Sequence, residues 1–211
     1  MGSITAFGAI LAGGRSRRMG RDKALLPFSG RPLVLHAAAT LGEVVPEVAV
    51  IASRGSGYDF LPVPVIEDRF PDRGPLGGLH AALVHAAGRP VFCLACDLPL
   101  VGPDLIRYII DFAGPDGASG TAFVKVPAMA GRVQPLCGWY APGCLGPVEK
   151  WLRQGRGKVL DFLEEIPTVQ VPLAADLPFF REDLLANLNR EEDYKKVTRG
   201  TTEGVVPLPH H

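Results

Sequence analysis

The sequence predicts an α/β protein in which helices cover both faces of a mostly parallel sheet. Apolar, strand-like runs alternate with helical patterns along the 211 residues, and that order is typical of parallel sheets. The first run is almost continuously apolar, as a strand buried on both faces is. Neither an internal repeat nor a low-complexity linker interrupts the chain. We therefore expect one domain over residues 1–197 and a flexible tail over residues 198–211.

The first half of the chain shows the more regular alternation. Runs rich in apolar and β-branched residues predict four strands, at residues 5–13, 47–53, 63–68 and 89–97. The helical spacing of apolar residues predicts three helices, at residues 33–44, 77–87 and 104–112.

The second half is less regular, and its elements are expected in mixed order. Strands are predicted at residues 119–126, 134–141 and 168–174. Helices are predicted at residues 145–155, 158–166 and 190–197.

Composition and charge argue against two classes of partner. Lys plus Arg and Asp plus Glu both number 22, so the chain has no net charge, whereas dedicated nucleic-acid binders usually carry a basic excess. No run approaches the roughly 20 apolar residues of a membrane span. We therefore expect neither nucleic acid nor a membrane as a partner.

The four cysteines are expected to be buried, reduced thiols. Cys93 and Cys96 form a C-x-x-C pair inside a predicted strand, where side chains three positions apart point to opposite faces. Redox and zinc pairs of this spacing normally lie on a turn or at the start of a helix. Buried free thiols indicate a reducing compartment, so we expect a cytoplasmic protein.

A glycine-arginine segment follows the first predicted strand, at the sheet edge where α/β proteins bind ligands. Gly13 and Gly14 allow the backbone to approach phosphates closely. Five basic residues follow within nine positions: Arg15, Arg17, Arg18, Arg21 and Lys23. Guanidinium forks and a lysine ammonium bind phosphate oxygens. The pattern is neither a P-loop nor a dinucleotide fingerprint, but it predicts a nucleoside triphosphate site, with a solvated basic turn as the alternative.

Two aspartates come at the ends of predicted strands. Asp97 ends the run 89–97, and we expect it to hold Mg²⁺, which binds one or two carboxylates together with ligand phosphates. Capping of the next helix is the alternative role for Asp97. Asp68 ends the run 63–68; we expect it to contact the ligand, and ordering of the following loop is its competing role. Asp72, in that loop, is a less favoured candidate.

A second glycine-rich turn, G-P-L-G-G at residues 74–78, leads into a predicted helix. Gly77 and Gly78 would let either a nucleotide or the sheet approach the start of that helix. The residues alone do not decide between the two roles, and Gly78 is retained as a candidate nucleotide-binding residue.

Motifs spread over nearly the whole chain resemble a known family. The stretch L-A-G-G-R-S-R-R-M-G-R-D-K at residues 11–23 resembles the signature of sugar-nucleotide-type nucleotidyltransferases. Within that superfamily the sequence is most similar to molybdenum cofactor guanylyltransferases, through G-P-L-G-G, C-L-A-C-D-L-P-L-V, Q-P-L-C-G-W-Y and N-L-N-R-E-E-D-Y. The resemblance implies a Rossmann-like domain of the nucleotide-diphospho-sugar transferase type, with Mg²⁺ as cofactor.

The resemblance also implies a reaction. GMP would pass from GTP to the phosphate of molybdopterin, which yields molybdopterin guanine dinucleotide and pyrophosphate. Proteins that transiently deliver or receive the cofactor are further expected partners. The nucleotide-binding residues that the resemblance implies are Leu11, Ala12, Gly13, Lys23 and Asp68, with Asp97 as the metal ligand; Gly14 is a candidate from its place in the glycine-arginine segment.

On the acceptor side, the resemblance places Asn187 and Asn189 near the pterin. Because Asn187 and Asn189 are two positions apart on an extended segment, they would share a face; a turn before a helix is their alternative role.

Three basic residues, Arg17, Arg18 and Lys23, are expected to stabilise charge on the leaving pyrophosphate. The acceptor phosphate is already ionised, so no general base is required, and the helical His36, His80 and His85 are interpreted as helix-face residues.

Other functions remain open from the sequence. The nucleotide could be CTP, or the acceptor a sugar or alditol phosphate, and a nucleotide-binding module without turnover is an alternative of another class. Residues 51–53, I-A-S, stand where family members often carry an asparagine near the guanosine.

Overall fold

The structure, a computed structural model, describes residues 5–12, 22–70, 72–113, 123–188 and 193. The strands of this part of the chain are β1 (Phe7–Leu11), β2 (Pro27–Phe28), β3 (Arg31–Pro32), β4 (Glu47–Ala52), β5 (Val65–Glu67), β6 (Val91–Ala95), β7 (Val124–Met129), β8 (Arg132–Val133), β9 (Cys137–Tyr140) and β10 (Thr168–Pro172). The α-helices are α1 (Leu33–Gly42), α2 (Pro75–His85), α3 (Pro103–Asp111), α4 (Leu145–Arg153) and α5 (Val159–Glu164).

The central sheet is mostly parallel, which confirms the predicted fold class. Its strands lie in the order β10-β7-β9-β6-β1-β4-β5, with β8 on β7. β1 is central and runs parallel to β4 on one side and β6 on the other, and β5 extends the parallel set beyond β4. β9 is antiparallel to both β6 and β7, and β10 pairs parallel with β7.

Two hydrophobic cores lie on opposite faces of this sheet. One packs α1 and α3 against side chains such as Ile10 and Leu94. The other packs α2, α4 and α5 against side chains such as Phe7 and Cys93. All residues of β1 and β6 are buried as a result, and this explains their continuous apolar runs.

The predicted elements of the described residues are present, with shifts at their ends. Helices α2 and α3 begin earlier than predicted, because a proline occupies the first helical position of each. The hairpin of β2 and β3 and the short β8 were missed. Ser29 and Gly30 form the two-residue turn of the hairpin, with φ of 48° and 81°, as the favoured hairpin turns require. The helix predicted at 190–197 and the tail at 198–211 lie outside the described residues, apart from Asp193.

The directions of the parallel strands determine where the candidate site lies. β1, β4, β5 and β6 end at one edge of the sheet, so the residues after them meet there. Among the described residues, no helix combines the length and the hydropathy of a membrane span.

Candidate active site

Lys23 and Asp97 form an ion pair at the carboxyl edge of the sheet. Lys23 Nζ donates to Asp97 Oδ2 over 2.7 Å, and the two side chains are only 11% and 21% exposed. Asp97 lies just after β6, and Lys23 is the first residue of the 3-10 helix Lys23–Leu25. The fold therefore joins two residues that the sequence singled out separately for phosphate and metal.

The other oxygen of Asp97 suits a divalent cation. Asp97 Oδ1 is buried and has no hydrogen-bond partner in the described part of the chain. The described residues contain no group of three or more acidic, His or Cys side chains that could hold a metal, but Mg²⁺ needs only one or two carboxylates when phosphates complete its shell. The helix-cap alternative for Asp97 is wrong, since α3 begins at Pro103 after Gly102.

Asp22 and Tyr58 extend the site in a way the sequence analysis missed. The Tyr58 hydroxyl donates to Asp22 Oδ2 over 2.5 Å and lies 3.3 Å from the carbonyl oxygen of Ala12. Asp22 Oδ1 accepts from the Ala24 N–H over 3.0 Å and so caps the 3-10 helix of Lys23. An Asp two residues before the capped N–H was a usable signal for the cap, whereas nothing local pointed to Tyr58.

Leu11 is the last residue of β1 and Ala12 follows it, so both lie at the edge of the sheet where the candidate site is. Leu11 is buried, and its carbonyl oxygen accepts from the Cys96 N–H. The Ala12 N–H donates to the Ile51 carbonyl oxygen over 3.1 Å. The predicted ligand residues Gly13, Gly14, Arg17 and Arg18 lie outside the described residues.

Asp68 orders the loop after β5, which was its competing role. Its Oδ1 accepts from the Phe70 N–H over 2.7 Å, and its own N–H donates to the Ala52 carbonyl oxygen. Burial raises the pKa of this carboxyl group, while the Phe70 hydrogen bond and the nearby His80 act in the opposite direction. Contact between Asp68 and a ligand stays a prediction.

The glycine pair of α2 packs tightly. A Cβ on Gly78 would lie 3.1 Å from Leu11 Cδ2, and one on Gly77 would lie 2.8 Å from both Asp68 Oδ2 and the Phe70 carbonyl oxygen. The close packing of α2 on its surroundings, one of the two roles left open, is therefore confirmed. Contact of the Gly78 backbone with a nucleotide stays a prediction.

The predicted acceptor residue Asn187 lies on a segment attached to the Asp97 loop. Its Oδ1 accepts from Gln134 Nε2 over 2.9 Å. The next residue, Leu188, donates its N–H to the Asp97 carbonyl oxygen over 2.9 Å and is 2% exposed. Leu188 packs in a small cluster with Phe28, Leu33, Leu26 and Leu100. Asn189 lies outside the described residues.

The three helical histidines have partners on neighbouring elements, as predicted for helix-face residues. His36 Nε2 lies 2.9 Å from the Pro99 carbonyl oxygen, so it is the donor. His80 Nε2 lies 3.3 Å from Glu149 Oε1, and His85 pairs with Glu47 at 3.7 Å.

The four cysteines are free and buried, which confirms the interpretation of the C-x-x-C pair as structural thiols. Burial raises the pKa of both Cys93 and Cys96 to about 12. A thiol that stays protonated is a poor nucleophile and a poor metal ligand.

Comparison with known proteins gives one consistent family. Residues 8–169 match the family described as the MobA-like NTP transferase domain. The chain is 36% identical over 193 residues to a "Probable molybdenum cofactor guanylyltransferase" of Carboxydothermus hydrogenoformans, covering 90% of this chain and 94% of that one. It is 39% identical over 159 residues to a protein of the same description from Pelotomaculum thermopropionicum, covering 75% of each chain.

Solved structures show the same fold at lower identity. The molybdopterin-guanine dinucleotide biosynthesis protein A of Archaeoglobus fulgidus superposes with a TM-score of 0.76 at 24% identity, over 93% of this chain and 99% of that one. A 2-C-methyl-D-erythritol 4-phosphate cytidylyltransferase of Thermus thermophilus superposes with a TM-score of 0.66 at 17% identity, over 94% of this chain and 99% of that one.

Proposed function

The chain belongs to the MobA-like NTP transferase family, and we propose that it is a molybdenum cofactor guanylyltransferase. It transfers GMP from GTP to the phosphate of molybdopterin. An oxygen of the acceptor phosphate bonds to the α-phosphorus, the bond from that phosphorus to the bridging oxygen breaks, and pyrophosphate leaves. The products are molybdopterin guanine dinucleotide and pyrophosphate.

The observation that carries the proposal is the pairing of Lys23 with Asp97 at the edge where the parallel strands end. Asp97 Oδ1, buried without a partner in the described chain, is the atom we assign to Mg²⁺. A cation held there supplies positive charge to the α-phosphate and to the leaving group. The Lys23 ammonium, 2.7 Å from Asp97 Oδ2, lies beside that cation position and would bind a phosphate oxygen of GTP.

The acceptor side is proposed to lie at Asn187. Because Asn187 Oδ1 accepts from Gln134 Nε2, the amide is held in one orientation, and its NH₂ group is the donor that we assign to the ligand. That group can donate to phosphate oxygens or to carbonyl oxygens of a pterin. Gln134 is itself oriented by the Leu136 N–H, which donates to Gln134 Oε1 over 3.3 Å.

Several assignments remain part of the proposal. Arg17 and Arg18 would stabilise charge on pyrophosphate, and Gly13, Gly14, Asp68 and Gly78 would contact the nucleotide. Asn189 would bind the pterin beside Asn187. Proteins that deliver or receive the cofactor are proposed as transient partners. The four free, buried thiols support a reducing location, the cytoplasm.

The experiment is a product assay on the purified protein. It is incubated with Mg²⁺, molybdopterin and one nucleoside triphosphate at a time, and pyrophosphate and the dinucleotide are measured. We expect product with GTP. Product only with CTP, or only with a sugar or alditol phosphate as acceptor, would contradict the guanylyl assignment. Nucleotide binding without pyrophosphate release would indicate a binding module instead.

Two variants test the roles within the site. Asp97→Ala is expected to abolish turnover, and Lys23→Ala to lower the rate by about a hundredfold or more. The matched controls are Asp176→Ala and Lys150→Ala, which change exposed residues of the same types. Full activity of Asp97→Ala at saturating Mg²⁺ would remove Asp97 from the metal site.

A further inference from the structure

The hydroxyl group of Tyr58 lies between the two residues that flank the glycine-arginine segment. It donates to Asp22 Oδ2 over 2.5 Å and lies 3.3 Å from the Ala12 carbonyl oxygen. Ala12 ends the described chain before residues 13–21, and Asp22 resumes it after them. Tyr58 itself is 2% exposed and belongs to the core that includes Ala24. One buried side chain therefore contacts the residues on both sides of residues 13–21, with its proton donated to Asp22.

Asp22 carries this connection on to Lys23. Its Oδ1 accepts from the Ala24 N–H, and its carbonyl oxygen accepts from the Leu25 N–H over 3.1 Å. Lys23 is the first residue of the 3-10 helix that these bonds hold. Its ammonium then reaches Asp97 at 2.7 Å. The position of Lys23 thus follows from the position of Asp22.

Both carboxylate oxygens of Asp22 are in use. Oδ1 has the Ala24 N–H and Oδ2 has the Tyr58 hydroxyl as donors. This matters because Asp22 is adjacent in sequence to Lys23, where an anionic ligand is expected. A carboxylate fixed by two donors is held in one orientation, so it cannot swing freely toward a phosphate or toward the Lys23 ammonium.

We propose that Tyr58 is a positioning residue for the nucleoside triphosphate: its hydroxyl group holds the Asp22 carboxylate, and through Asp22 it positions Lys23 next to Asp97. This inference rests on the proposed function, because it assigns the nucleotide to that site. Burial, followed by the nearby Asp22, raises the pKa of the Tyr58 phenol well above its ordinary value. The phenol consequently remains a hydrogen-bond donor at every pH at which the enzyme would be assayed.

The loss of this hydroxyl should weaken nucleotide binding more than it affects the acceptor. Without it, the nucleotide itself must order the residues that Tyr58 now holds, and that ordering lowers the apparent affinity. Loss of one hydrogen bond to a charged group corresponds to a decrease of about tenfold. The acceptor residue Asn187 is held by Gln134 instead, so the KM for molybdopterin should stay unchanged.

The first test compares Tyr58→Phe with Tyr108→Phe. Tyr108 also donates its hydroxyl to a carbonyl oxygen, that of Pro172 over 3.2 Å, but it lies on α3 away from Lys23. The Kd of GTP with Mg²⁺ is measured by calorimetry without acceptor, and both KM values are measured in the full assay. We expect about tenfold weaker GTP binding for Tyr58→Phe and no change for Tyr108→Phe. A folded Tyr58→Phe protein with the wild-type Kd would overturn the proposal.

A second measurement needs no ligand. Hydrogen exchange of the Leu25 and Leu26 amides, which close the 3-10 helix, should accelerate in Tyr58→Phe and not in Tyr108→Phe. Asp22→Asn removes the charge and keeps only one of the two acceptor oxygens, so in the observed geometry the amide oxygen accepts from either the Ala24 N–H or the Tyr58 hydroxyl, not from both. If the proposed contact is the cause, the double variant Tyr58→Phe with Asp22→Asn should bind GTP about as well as the weaker single variant. Fully additive losses, or unchanged exchange, would contradict the proposal.

Failure of the proposed function is distinguishable from failure of this inference. If the wild-type protein binds CTP rather than GTP, the guanylyl assignment fails, and the same comparison is made with CTP. A tenfold loss in Tyr58→Phe would then still support the positioning role. If the wild-type protein binds no nucleoside triphosphate, both proposals are wrong.

Discussion

Asp97 uses three oxygen atoms in three different ways. Oδ2 accepts from Lys23, the backbone carbonyl oxygen accepts from Leu188, and Oδ1 is buried without a partner in the described chain. A buried carboxylate oxygen without a partner is costly in a folded protein. The cost is understandable if a cation completes that position, which is why we place Mg²⁺ at Oδ1.

His36 should make the protein less stable at mildly acidic pH. Burial lowers its pKa from the ordinary value of 6.5, the Pro99 hydrogen bond opposes this, and Arg31 adds to it. Its Nδ1 is buried without a partner among the described residues. Because the folded pKa is the lower one, the unfolded chain binds more protons between the two values. The stability contributed by neutral His36 is present above pH 6.5 and is lost as the pH falls below it.

The measurement is the free energy of unfolding by urea between pH 7.5 and 5.5. Histidines elsewhere also titrate, so wild type is compared with His36→Gln, which retains an amide donor for the Pro99 carbonyl oxygen. We expect the wild type to lose more stability than His36→Gln over this range. If the free energy of unfolding changes with pH by the same amount in both proteins, the pKa of His36 is the same in the folded and unfolded states, and the prediction is wrong.

At the scale of elements, the start of α2 tolerates no side chain at Gly77. An added Cβ would lie 2.8 Å from both the Phe70 carbonyl oxygen and Asp68 Oδ2. We expect Gly77→Ala to lower the free energy of unfolding by about 1–3 kcal/mol, as overpacking does. Thermal or urea unfolding followed by circular dichroism measures the change.

The control for this change is Gly42→Ala at the end of α1. A Cβ on Gly42 would have its nearest neighbour, Val48 Cγ2, at 4.0 Å. Removing a glycine from a helix without a clash should leave stability unchanged or raise it by about 0.5 kcal/mol. Equal destabilisation by both substitutions would mean that the packing of Gly77 on Asp68 is not the cause.

Local patterns predicted most elements but few of the contacts between them. Continuous apolar runs predicted β1 and β6 because both lie between two helical layers. The end of β6 predicted Asp97 and the end of β5 predicted Asp68 as site residues, because residues that follow parallel strands meet at one edge of the sheet. The Tyr58–Asp22 hydrogen bond joins residues 36 positions apart, and the Gln134–Asn187 bond joins residues 53 apart. Only the folded sheet brings such pairs together, and no periodicity encodes them.

For the molecule as a whole, the four thiols should report on global unfolding. All are buried, and burial raises the pKa of Cys93, Cys96 and Cys144 to about 12. The thiolate is the reactive form, so a disulfide reagent at pH 8 should react very slowly with the native protein. Four thiols per chain should react at once in denaturant. Fast reaction of one native thiol would contradict this, and Cys→Ser variants would identify it.

The hydrogen bond from Leu188 to Asp97 has a consequence for protein synthesis. The loop that carries Asp97, the proposed metal ligand, packs against Leu188. While the ribosome is still translating the codons before Leu188, the nascent chain already contains every residue of β1, β4 and β6, but it lacks the support beneath Asp97. The proposed site is therefore completed only after Leu188 has been translated, so truncated products that lack Leu188 should hold GTP poorly and turn over none.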